Sequence, residues 1–594
     1  MTTVVVNSSR DRFVDWVAQS HEEKLLFQGN EAIVRSNPLF EDPQISHFQT
    51  GVVLSFGEIK EIPAGENTYR NLTRSEIRDK ALDFEGSFLQ MLLYDGTCEV
   101  ITDRFGSIPM FYAISDHSEL VLSNCYNDVI GELTVGEVGQ IQEEAIFCFL
   151  YLRRLLGDQT FHSKVFTLPA GSIVKVDLRS EVCSVERYWA PAAPSISEYG
   201  SATELLAEKL QSAVERRLQP SNRRHGLMLS GGLDSRALLA LGQHRYTCFT
   251  NTPSQNNESE IAKQLADKVG ARFVYLKRPK DYFEEIFADA VACSNAMTVF
   301  YEAQFIGYLK EISTYVDTVH LGLGLDVFFC GHYMNKYHPT IGGRPMLYFK
   351  KRLLKGENFE QSYLDGVSYR MKTSNLKDIV RGNQWDDLYD SLLHLTKAKC
   401  DYGRAQGLTD HALWEYMHLT DFGRHYSMLM ANSMKGKIDI RVPALDAGLY
   451  DLAFAMSPGL KVNWSVYLAA IQRIDPRLFR IRNANTNIRA SLDLRTQTRI
   501  QITRGILRKM GCSRLTGLPS AKERSWPLVS EDMSSAAMKE KIRHMVYDGK
   551  IRNLSFVDPA KLNRVYEEHS CGNANHAVLF GLLLTLEHGL LNVN

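Results

Sequence analysis

The chain has 594 residues, which is more than one hydrophobic core usually supports, so its length predicts about two to four domains. Hydrophobic residues make up 44% of the chain and charged residues 23%, a composition that excludes an intrinsically disordered protein. The formal net charge of −1 excludes a global attraction to nucleic acids or membranes.

The first residues and the cysteines bear on the cellular compartment. Residues 1–10 lack a basic leader followed by a long apolar core, so they match a secretory signal poorly. The longest apolar stretch, Ala577 to Leu586, is too short for the roughly 20 residues that cross a bilayer. Ten cysteines without a C-x-x-C pair fit reduced, mostly buried thiols better than disulfides or a zinc site. We therefore expect a cytoplasmic protein with no membrane span.

In chain order, short strand-like runs come first and predict a sheet-rich first half: Phe88–Tyr94, Glu99–Thr102 and Leu120–Ser123. A stretch rich in proline and small residues, Ala190–Ser197, follows as the natural linker. From about Glu204, helical and strand-like runs alternate: Leu205–Leu218, Leu227–Leu229, Arg236–Leu241, Thr247–Thr250, Glu258–Val269 and Phe273–Leu276. This alternation predicts a parallel sheet with right-handed crossovers, and mostly helices are expected from about Pro339 onward.

A glycine-rich turn connects the apolar run Leu227–Leu229 to the helical run beginning at Arg236, and it reads S-G-G-L-D-S from Ser230 to Ser235. Two glycines let the backbone approach an anion closely, and the first N–H groups of the following helix point at it. The serine hydroxyls add donors, and the carboxylate of Asp234 is suited to Mg²⁺. We expect a nucleotide phosphate site here; the alternative is an ordinary structural turn.

A second glycine-rich element should lie beside the first, because ligands of open parallel sheets bind beyond the carboxyl ends of the strands. The segment Val319–Gly331 begins with an apolar run and continues L-G-L-G-L-D, which fits that description. Gly322 and Gly324 permit close approach to a ligand, and Asp326 is a second candidate Mg²⁺ carboxylate. The alternative is a tight turn with a capping aspartate.

Both elements resemble motifs of the asparagine synthetase family, which includes asparagine synthetase B, β-lactam synthetase, carbapenam synthetase and the lasso-peptide cyclases. The first is similar to the S-G-G-x-D-S pyrophosphate loop of the N-type ATP pyrophosphatases, which cleave ATP between its α and β phosphates. The second is similar to the family's S-G-x-G-x-D segment, with Leu321 in place of its serine. Ile440–Asp446 resembles the family's R-V-P-F-L-D, and Val578–Leu591 resembles its closing apolar helix.

The resemblance implies that ATP and Mg²⁺ bind at these two elements. The residues assigned to ATP are Leu229, Ser230, Gly231, Gly232, Leu233, Asp234, Ser235, Gly322 and Gly324. Asp234 and Asp326 are assigned to the metal and to catalysis, because the family's two aspartates share the metal ion.

The first half resembles a glutaminase domain. Phe84–Phe88, Asp103–Tyr112 and Leu168–Gly171 are similar to the glutaminase strings D-G-x-F, R-D-R-F-G-x-x-P-L-Y-Y and L-x-P-G. The family's glutaminase activity depends on a cysteine at position 2, whose thiolate attacks the glutamine amide, whereas this chain has Thr2. We therefore expect residues 1–190 to form an inactive glutaminase-like domain, although a residual role of Thr2 stays open.

The fold implied by these resemblances is an α+β Ntn-hydrolase-like domain in the first half. It is followed over residues 200–594 by an α/β Rossmann-like ATP-pyrophosphatase domain, of the adenine nucleotide alpha hydrolase type, with C-terminal helices. One catalytic position of the family is unfilled. The asparagine synthetases and β-lactam synthetase use a lysine that stabilises charge in the amide-forming step, and Val462–Gln472 contains none. Lys461, Lys435, Lys437 or an arginine are the candidates to replace it.

A basic stretch runs from Arg473 to Arg524, with 13 lysines and arginines against three acidic residues. The common interpretation of such a run is a solvated helix face. The functional interpretation is a channel or cover that attracts an anionic substrate or the triphosphate, with Arg480 and Arg482 as candidate ligands of substrate or pyrophosphate.

Two further sets of polar residues are candidates for the site. Cys330 and His332 form a candidate nucleophile pair, although a free cysteine is more often an inert core residue. Asp421, Arg424 and His425 are spaced to share one helix face, and an ordinary surface pair is the alternative.

Together these features predict an ATP-dependent, AMP-forming carbon–nitrogen ligase in a natural-product or surface-polysaccharide pathway. Its substrates would be a small-molecule, peptide or glycan carboxylate and an amine donor, joined within one molecule or between two. A homodimer is compatible with this interpretation, and nucleic acid is not expected as a partner. The alternatives are an RNA-modifying ATP pyrophosphatase that holds tRNA with the basic stretch, and a non-catalytic scaffold.

Overall fold

The computed structural model describes most of the chain. The described residues are 2–6, 24–28, 32–36, 43–61, 69–115, 120–177, 179, 182–219, 222–331, 334–341, 344–345, 351–353, 359–366, 373, 375–424, 427–435, 438–516 and 529–591.

The strands of the first half pair in antiparallel fashion and form two six-stranded sheets. They are β1 Thr2–Val6, β2 Lys24–Gln28, β3 Ala32–Ser36, β4 Gln44–Phe48, β5 Gly51–Gly57, β6 Phe88–Tyr94, β7 Thr97–Thr102, β8 Phe111–Ile114, β9 Leu120–Ser123, β10 Phe166–Thr167, β11 Ser172–Asp177 and β12 Val182–Arg187. The first sheet has the order β10-β8-β9-β1-β3-β2, and the second has the order β12-β11-β7-β6-β5-β4. The strand-like runs expected from the sequence are confirmed as β6, β7 and β9.

The two sheets pack face to face through apolar side chains of β5, β6, β7 and β11 on one sheet and of β8 and β9 on the other. Leu89 and Met91 of β6 meet Leu120 and Leu122 of β9 in one buried cluster between the sheets. Four helices accompany them: α1 Arg74–Leu82, α2 Tyr126–Gly131, α3 Val135–Val138 and α4 Glu143–Leu152. Helix α1 covers the outer face of the second sheet, whereas α4 is buried from Ala145 to Leu152 against the second half of the chain.

The second half contains a parallel sheet, as expected from the alternation of helices and strands. The strands of the second half are β13 His225–Met228, β14 Tyr246–Thr252, β15 Arg272–Lys277, β16 Thr318–His320, β17 Lys336–Tyr337, β18 Thr340–Ile341, β19 Arg344–Pro345, β20 Arg352–Leu353 and β21 Asp439–Arg441. The sheet order is β15-β14-β13-β16-β21, and β17–β20 and β18–β19 form short antiparallel pairs. The strand order reverses at β13, so the ligand crevice of this sheet type lies at the carboxyl ends of β13 and β16.

Helices dominate the rest of the second half, which confirms the expectation for the chain after about residue 339. They are α5 Tyr199–Arg217, α6 Asp234–Gly242, α7 Asn257–Val269, α8 Tyr282–Glu285, α9 Phe287–Ser294, α10 Leu309–Tyr315, α11 Leu325–Phe329, α12 Phe359–Gly366, α13 Trp385–Ala405, α14 Asp410–Leu419, α15 Met428–Asn432, α16 Ala447–Ala455, α17 Pro458–Lys461, α18 Ser465–Ile474, α19 Pro476–Phe479, α20 Leu494–Lys509, α21 Val529–Asp532, α22 Ala536–Asp548, α23 Pro559–Ser570 and α24 Ala577–Leu586. Helix α24 continues into a π-helical turn, Glu587–Leu591.

A buried ionic network joins the two halves of the chain. Arg217 of α5 donates to Glu58 of the first half at 3.1 Å and to Asp446 at 2.9 Å. Asp446 ends the R-V-P-A-L-D motif, and it also accepts from Gly448 and Leu449 at the start of α16. A fully buried carboxylate needs several hydrogen-bond donors, and Asp446 finds them in α5 and at the start of α16. The motif therefore both caps a helix and takes part in the contact between the two halves.

Two expectations from composition can be compared with the structure. All ten cysteines are free, and seven of them are buried. Among the described residues, the helices are too short or too polar to cross a membrane.

Candidate functional site

The S-G-G-L-D-S loop lies at the carboxyl end of the central strand β13. Leu229 is buried and donates its N–H to Phe249 O of β14 at 2.8 Å, which fixes the start of the loop. Gly231 has a φ of +68°, and a Cβ there would stand 3.1 Å from both Ala484 Cβ and Ile261 Cγ2. A side chain at this position would thus be strained by both backbone conformation and packing, which explains the glycine.

The loop directs donors toward the accessible crevice. The hydroxyl groups of Ser230 and Ser235 lie 3.2 Å apart, and Gly232 N–H donates to Ser230 Oγ at 3.3 Å. Leu233 stands at the N-cap of α6 without a capping side-chain hydrogen bond, so the first N–H groups of the helix have no side-chain acceptor there. Ser230 is exposed and Asp234 is partly accessible, so an anion can reach this helix N-terminus.

The second glycine element packs directly onto the first. It follows β16, and Leu321 N–H donates to Arg441 O of β21 at 2.9 Å. A Cβ at Gly322 would lie 2.7 Å from Ser235 N and 3.1 Å from Asp234 Cβ, so only glycine lets the two loops meet. Gly324 has a φ of +91° and precedes α11, whose first turn carries Asp326. The two elements form one site at the switch point of the sheet.

The two aspartates interact. Protein atoms surround the Asp234 carboxylate, and this burial together with the negative charge of Asp326 raises its pKa well above the ordinary value. Asp326 also keeps an accessible edge. Among the described residues no group of three or more His, Cys, Asp or Glu is gathered as a metal cluster. Two neighbouring carboxylates, of which Asp234 has a raised pKa, are suited to hold a Mg²⁺ ion beside this loop.

Tyr467 is a member of the site that sequence reasoning missed. It lies on α18, is fully buried, and donates its hydroxyl proton to Asp234 Oδ1 at 2.6 Å. This hydrogen bond opposes the rise in the pKa of Asp234, and the pKa of Tyr467 itself is raised by burial and by the aspartate. In the sequence, the segment that contains Tyr467 is distinguished only by its lack of a lysine, and no local pattern indicates a role for the tyrosine.

Arg236 is a second residue that the sequence did not reveal. Its side chain is fully buried and donates to the carbonyl oxygens of Gly231 at 2.9 Å, Arg482 at 2.6 Å and Ile481 at 2.9 Å. It also reaches Leu478 O at 3.2 Å. Burial lowers the pKa of Arg236 to about 10, so it remains charged at neutral pH. Arg236 therefore ties the S-G-G-L-D-S loop, which we name the phosphate loop after its predicted ligand, to the basic segment.

The backbone of the basic segment lies on the phosphate loop. Ala484 N–H donates to Gly231 O at 3.2 Å. The side chains of Arg480 and Arg482 are exposed, and Arg482 makes a long contact of 3.5 Å with Asn487 Oδ1. Their assignment to substrate or pyrophosphate stays a prediction, and the segment's position beside the loop is what supports it.

Lys461 is not available to a substrate. Its side chain is fully buried, and its amino group donates to both carboxylate oxygens of Glu415, at 2.7 and 2.8 Å, and to Ala453 O. Because all three donors are used, we correct its assignment as a substrate cation: Lys461 is the positive half of a buried ion pair.

Lys336 is a further residue that the sequence did not reveal. Its Nζ donates to Gly331 O at 2.6 Å, and burial lowers its pKa to about 8. The charges of Asp234 and Asp326 raise the pKa of the neighbouring Cys330 and the charge of Lys336 lowers it, so all three groups lie near α11 and the residue that follows it. A lysine of this kind can carry positive charge beside a reacting centre.

The remaining candidates have other positions. Cys330 is fully buried and its pKa is raised well above the ordinary value, which favours the inert interpretation. Asp421 is buried and pairs with Lys399 and Arg154, so the alternative of a surface pair with Arg424 is wrong. Lys435 donates to Ser107 O at 3.1 Å. His332, His425 and Lys437 lie outside the described residues, as does the side chain of Thr2.

Similarity to known proteins extends over much of the chain. A family model described as asparagine synthase matches residues 205–588. A protein from Mycobacterium bovis that carries the name of a glutamine-hydrolysing asparagine synthetase is 23% identical over 413 residues, covering 62% of this chain and 61% of that protein. Proteins of the same name from two strains of Mycobacterium tuberculosis give the same values. The chain spans about three fifths of the length of these curated relatives.

Solved structures match at a lower level. An NH₃-dependent NAD synthetase from Campylobacter jejuni is 14% identical with a TM-score of 0.17, covering 36% of this chain and 98% of that chain. A glutamine phosphoribosylpyrophosphate amidotransferase from B. subtilis is 9% identical with a TM-score of 0.17, covering 46% of this chain and 59% of that chain. Scores of this size carry no argument about this chain. The family match covers well over half of the residues and includes both glycine elements, so the chain belongs to the asparagine synthase family.

Proposed function

We propose that this protein is an ATP-dependent amide synthetase. A substrate carboxylate attacks the α-phosphorus of ATP and pyrophosphate leaves; an amine then attacks the acyl carbon and releases AMP. The observation that carries this proposal is the meeting of Asp234 and Asp326 across Gly322, beside the donors of the S-G-G-L-D-S loop. Family membership and the position at the switch point of a parallel sheet support it.

Mg²⁺ fits this arrangement. Asp234 and Asp326 would hold it from the protein side, since two carboxylates completed by phosphate oxygens and water suit this ion. The chemistry that a bound Mg²⁺ ion would supply is neutralisation of the negative charge on the leaving pyrophosphate.

The protein's own groups position the phosphates. Helix α6 directs its first N–H groups toward them, and the hydroxyls of Ser230 and Ser235 add donors. Tyr467 fixes one oxygen of Asp234, and Arg236 fixes the loop backbone. The proposed catalysis is thus positioning and preorganised electrostatics, without a covalent enzyme intermediate.

Lys336 supplies the cation for amide formation in this proposal. The candidate Lys461 is consumed by Glu415, whereas Lys336 is held by Gly331 O next to the end of α11. A positive charge there stabilises the negative charge that develops on the acyl oxygen as the amine attacks. The low pKa of Lys336 leaves the group positively charged up to about pH 8.

The first half is proposed to lack glutaminase activity because Thr2 stands in the position of the nucleophilic cysteine. The amine then comes from the substrate itself, from an external amine or from ammonia made elsewhere. A specialised carboxylate from a natural-product or polysaccharide pathway is the proposed acyl substrate.

The test is the identity of the nucleotide product. The purified chain would be incubated with Mg²⁺, [α-³²P]ATP and panels of carboxylates with hydroxylamine as a general amine, and products separated by chromatography. We expect AMP, pyrophosphate and a hydroxamate with an active carboxylate, and no turnover by Asp234→Asn. ADP as the stoichiometric product, or AMP formation that Asp234→Asn leaves unchanged, would contradict the proposal.

The RNA-modifying alternative makes a different prediction for the basic segment. Binding to tRNA would weaken steeply with salt, by about 0.7 to 0.9 in log K per phosphate contact for each tenfold salt increase. If the protein is a synthetase, reversal of the exposed Arg480 and Arg482 to glutamate should impair adenylation of the substrate, and no RNA shift should be seen in a gel. A salt-sensitive tRNA complex that those reversals disrupt would favour the RNA-modifying class.

A further inference from the structure

A cavity of about 480 Å³ lies between the first half of the chain and the helices of the second half. Its walls include Phe105 and Trp189 from the first half and Lys399, Asp421 and Arg424 from the second. This volume is in the range of sites that enclose small molecules, and contacts between domains are a common place for them. None of the roles proposed above uses these residues.

Most charges in the cavity wall are paired. Arg187 donates to Asp158 at 3.1 Å, and Lys399 is bonded to Asp421. Arg424 differs, because it forms no ion pair within the described part of the chain. Its Nη1 donates to the carbonyl oxygen of Gln159 at 3.1 Å. The cavity wall therefore carries one positive charge that no carboxylate contacts directly.

Polar atoms around Arg424 are also unsatisfied. Arg424 Nη2, Gln159 Nε2 and Asn432 Oδ1 are buried without a hydrogen-bond partner. A buried polar group without a partner costs about 1–3 kcal/mol, and more when it is charged. Burial lowers the pKa of Arg424, which agrees with a guanidinium that has lost water without gaining a full set of acceptors. Two donors and two acceptors of the same wall, among them the second carboxylate oxygen of Asp421, thus lack a hydrogen-bond partner.

The rest of the lining is apolar and aromatic. Phe105, Phe111, Leu155 and Trp189 contribute hydrophobic surface. Asp158 and Asp421 are in the wall as well, so a group with two negative charges, such as a phosphate, would be repelled more than one with a single charge. A carboxylate attached to an apolar body satisfies both the guanidinium and the hydrophobic walls.

We propose that this interdomain cavity is a binding site for a small monocarboxylate with an apolar or aromatic body, whose carboxylate is held by Arg424 and Gln159. The cavity is separate from the phosphate loop, but packed side chains connect the two. The ring of Phe105 stacks on Phe328 with centroids 6.2 Å apart, and Phe328 lies on α11, the helix that carries Asp326. An occupant packed on Phe105 is therefore separated from the helix that carries Asp326 by a single aromatic ring.

The experiment uses the full chain and isothermal titration calorimetry with three probes: benzoate, phenylacetate and hexanoate. Phenylacetamide serves as the neutral isostere of phenylacetate. We expect at least one carboxylate to bind and the amide to bind at least about tenfold more weakly, since an ion pair with a buried guanidinium is lost. Absence of heat with all three carboxylates at about 10 mM, or equal binding of acid and amide, would overturn the proposal.

Variants locate the binding. Arg424→Gln should weaken carboxylate binding at least about tenfold, whereas Arg543→Gln, which changes an exposed arginine paired with Glu540, should leave it unchanged. Asn432→Asp adds a negative charge to the wall and should weaken binding by a similar factor, which covers the case in which Arg424→Gln does not fold. Unchanged affinity in either folded wall variant would refute the site.

The result is separable from that of the proposed synthetase activity. Asp234→Asn removes a carboxylate of the phosphate site but lies outside the cavity wall, so it should leave probe binding intact. Loss of binding in Asp234→Asn would show that the probe occupies the phosphate site and would overturn the assignment to the cavity.

Discussion

The hydroxyl group of Tyr467 donates a hydrogen bond of 2.6 Å to Asp234 Oδ1, joining α18 to the first residue of α6 across 233 positions of sequence. Asp234 needs this donor, because burial and the charge of Asp326 both disfavour its ionised form. The tyrosine thus stabilises the charged state of Asp234, which is the state that would hold the proposed Mg²⁺ ion, and it occupies one of the two carboxylate oxygens.

Tyr467→Phe tests this relationship. Loss of a hydrogen bond to a charged group costs about 1.5–3 kcal/mol, so we expect kcat/KM for ATP to fall about 10- to 100-fold and the Mg²⁺ requirement to rise. The matched control is Tyr199→Phe, which removes a hydroxyl that donates to Ser465 O on the surface. Steady-state kinetics over a Mg²⁺ series measure both. Wild-type Mg²⁺ dependence in Tyr467→Phe would contradict the role.

Asp234→Asn should lose turnover but gain stability. The pKa of Asp234 is raised in the folded protein, so its ionisation opposes folding at every pH above the ordinary aspartate range. The asparagine still accepts from Tyr467 and carries no charge. Without Mg²⁺, the melting temperature should therefore rise at pH 7.5, and the gain should shrink as the pH falls toward 4, where the carboxyl is protonated in both states.

Asp317→Asn is the control with the opposite sign. Hydrogen bonds from Arg224 lower the pKa of Asp317, so its charge supports folding at neutral pH. Calorimetric melting of both variants is the measurement. A lower melting temperature for Asp234→Asn at pH 7.5, with the fold otherwise intact by circular dichroism, would show that the carboxylates are not in conflict without metal.

Arg236→Met should affect both stability and ATP binding. Its loss leaves the carbonyls of Ile481 and Arg482 without their buried donor, at a cost of about 1–3 kcal/mol. The phosphate loop also loses its tie to the basic segment, so KM for ATP should rise at least about tenfold. In Arg552→Met a guanidinium that binds Val546 O is removed far from the loop. We expect that control to lower stability without changing KM.

We expect kcat to fall at alkaline pH as Lys336 loses its proton. Its pKa of about 8 means that the amino group is charged below that pH and neutral above it. If its positive charge stabilises amide formation, kcat declines as the pH rises through 8. Lys336→Met should lower kcat about 100-fold, and Lys336→Arg should retain activity above pH 8 because the guanidinium stays charged. Lys435→Met, which removes another lysine bonded to a carbonyl, should leave the pH profile unchanged.

Glutamine should not be hydrolysed at a rate above background. The position of the nucleophilic thiol is occupied by Thr2, and a hydroxyl is a far weaker nucleophile than a thiolate at neutral pH. Glutamate release would be measured with and without ATP in the wild type and in Thr2→Ala. Release that disappears in Thr2→Ala would establish an N-terminal threonine nucleophile instead.

The parallel sheet and the two glycine elements of the site are predictable from the amino-acid sequence alone. The residues from Ser230 to Ser235 and from Gly322 to Asp326 are contiguous, and glycines between a strand and a helix specify a turn with few conformations. The alternation of helical and strand-like runs predicts parallel pairing, and parallel strands bring their carboxyl ends to one edge. The sequence therefore predicts that Asp234 and Asp326 lie at the same edge of the sheet.

The residues that surround those aspartates become known only from the fold. Tyr467 and Arg236 act through contacts with residues more than two hundred positions away, and nothing in their own neighbourhoods marks them. Lys461 resembled a free cation until Glu415, 46 residues earlier, proved to hold it. That Arg424 forms no ion pair with the described residues is likewise evident only from the fold. Local backbone preferences are written in adjacent residues, whereas burial, charge pairing and pKa depend on which distant side chains the packing brings within a few ångströms.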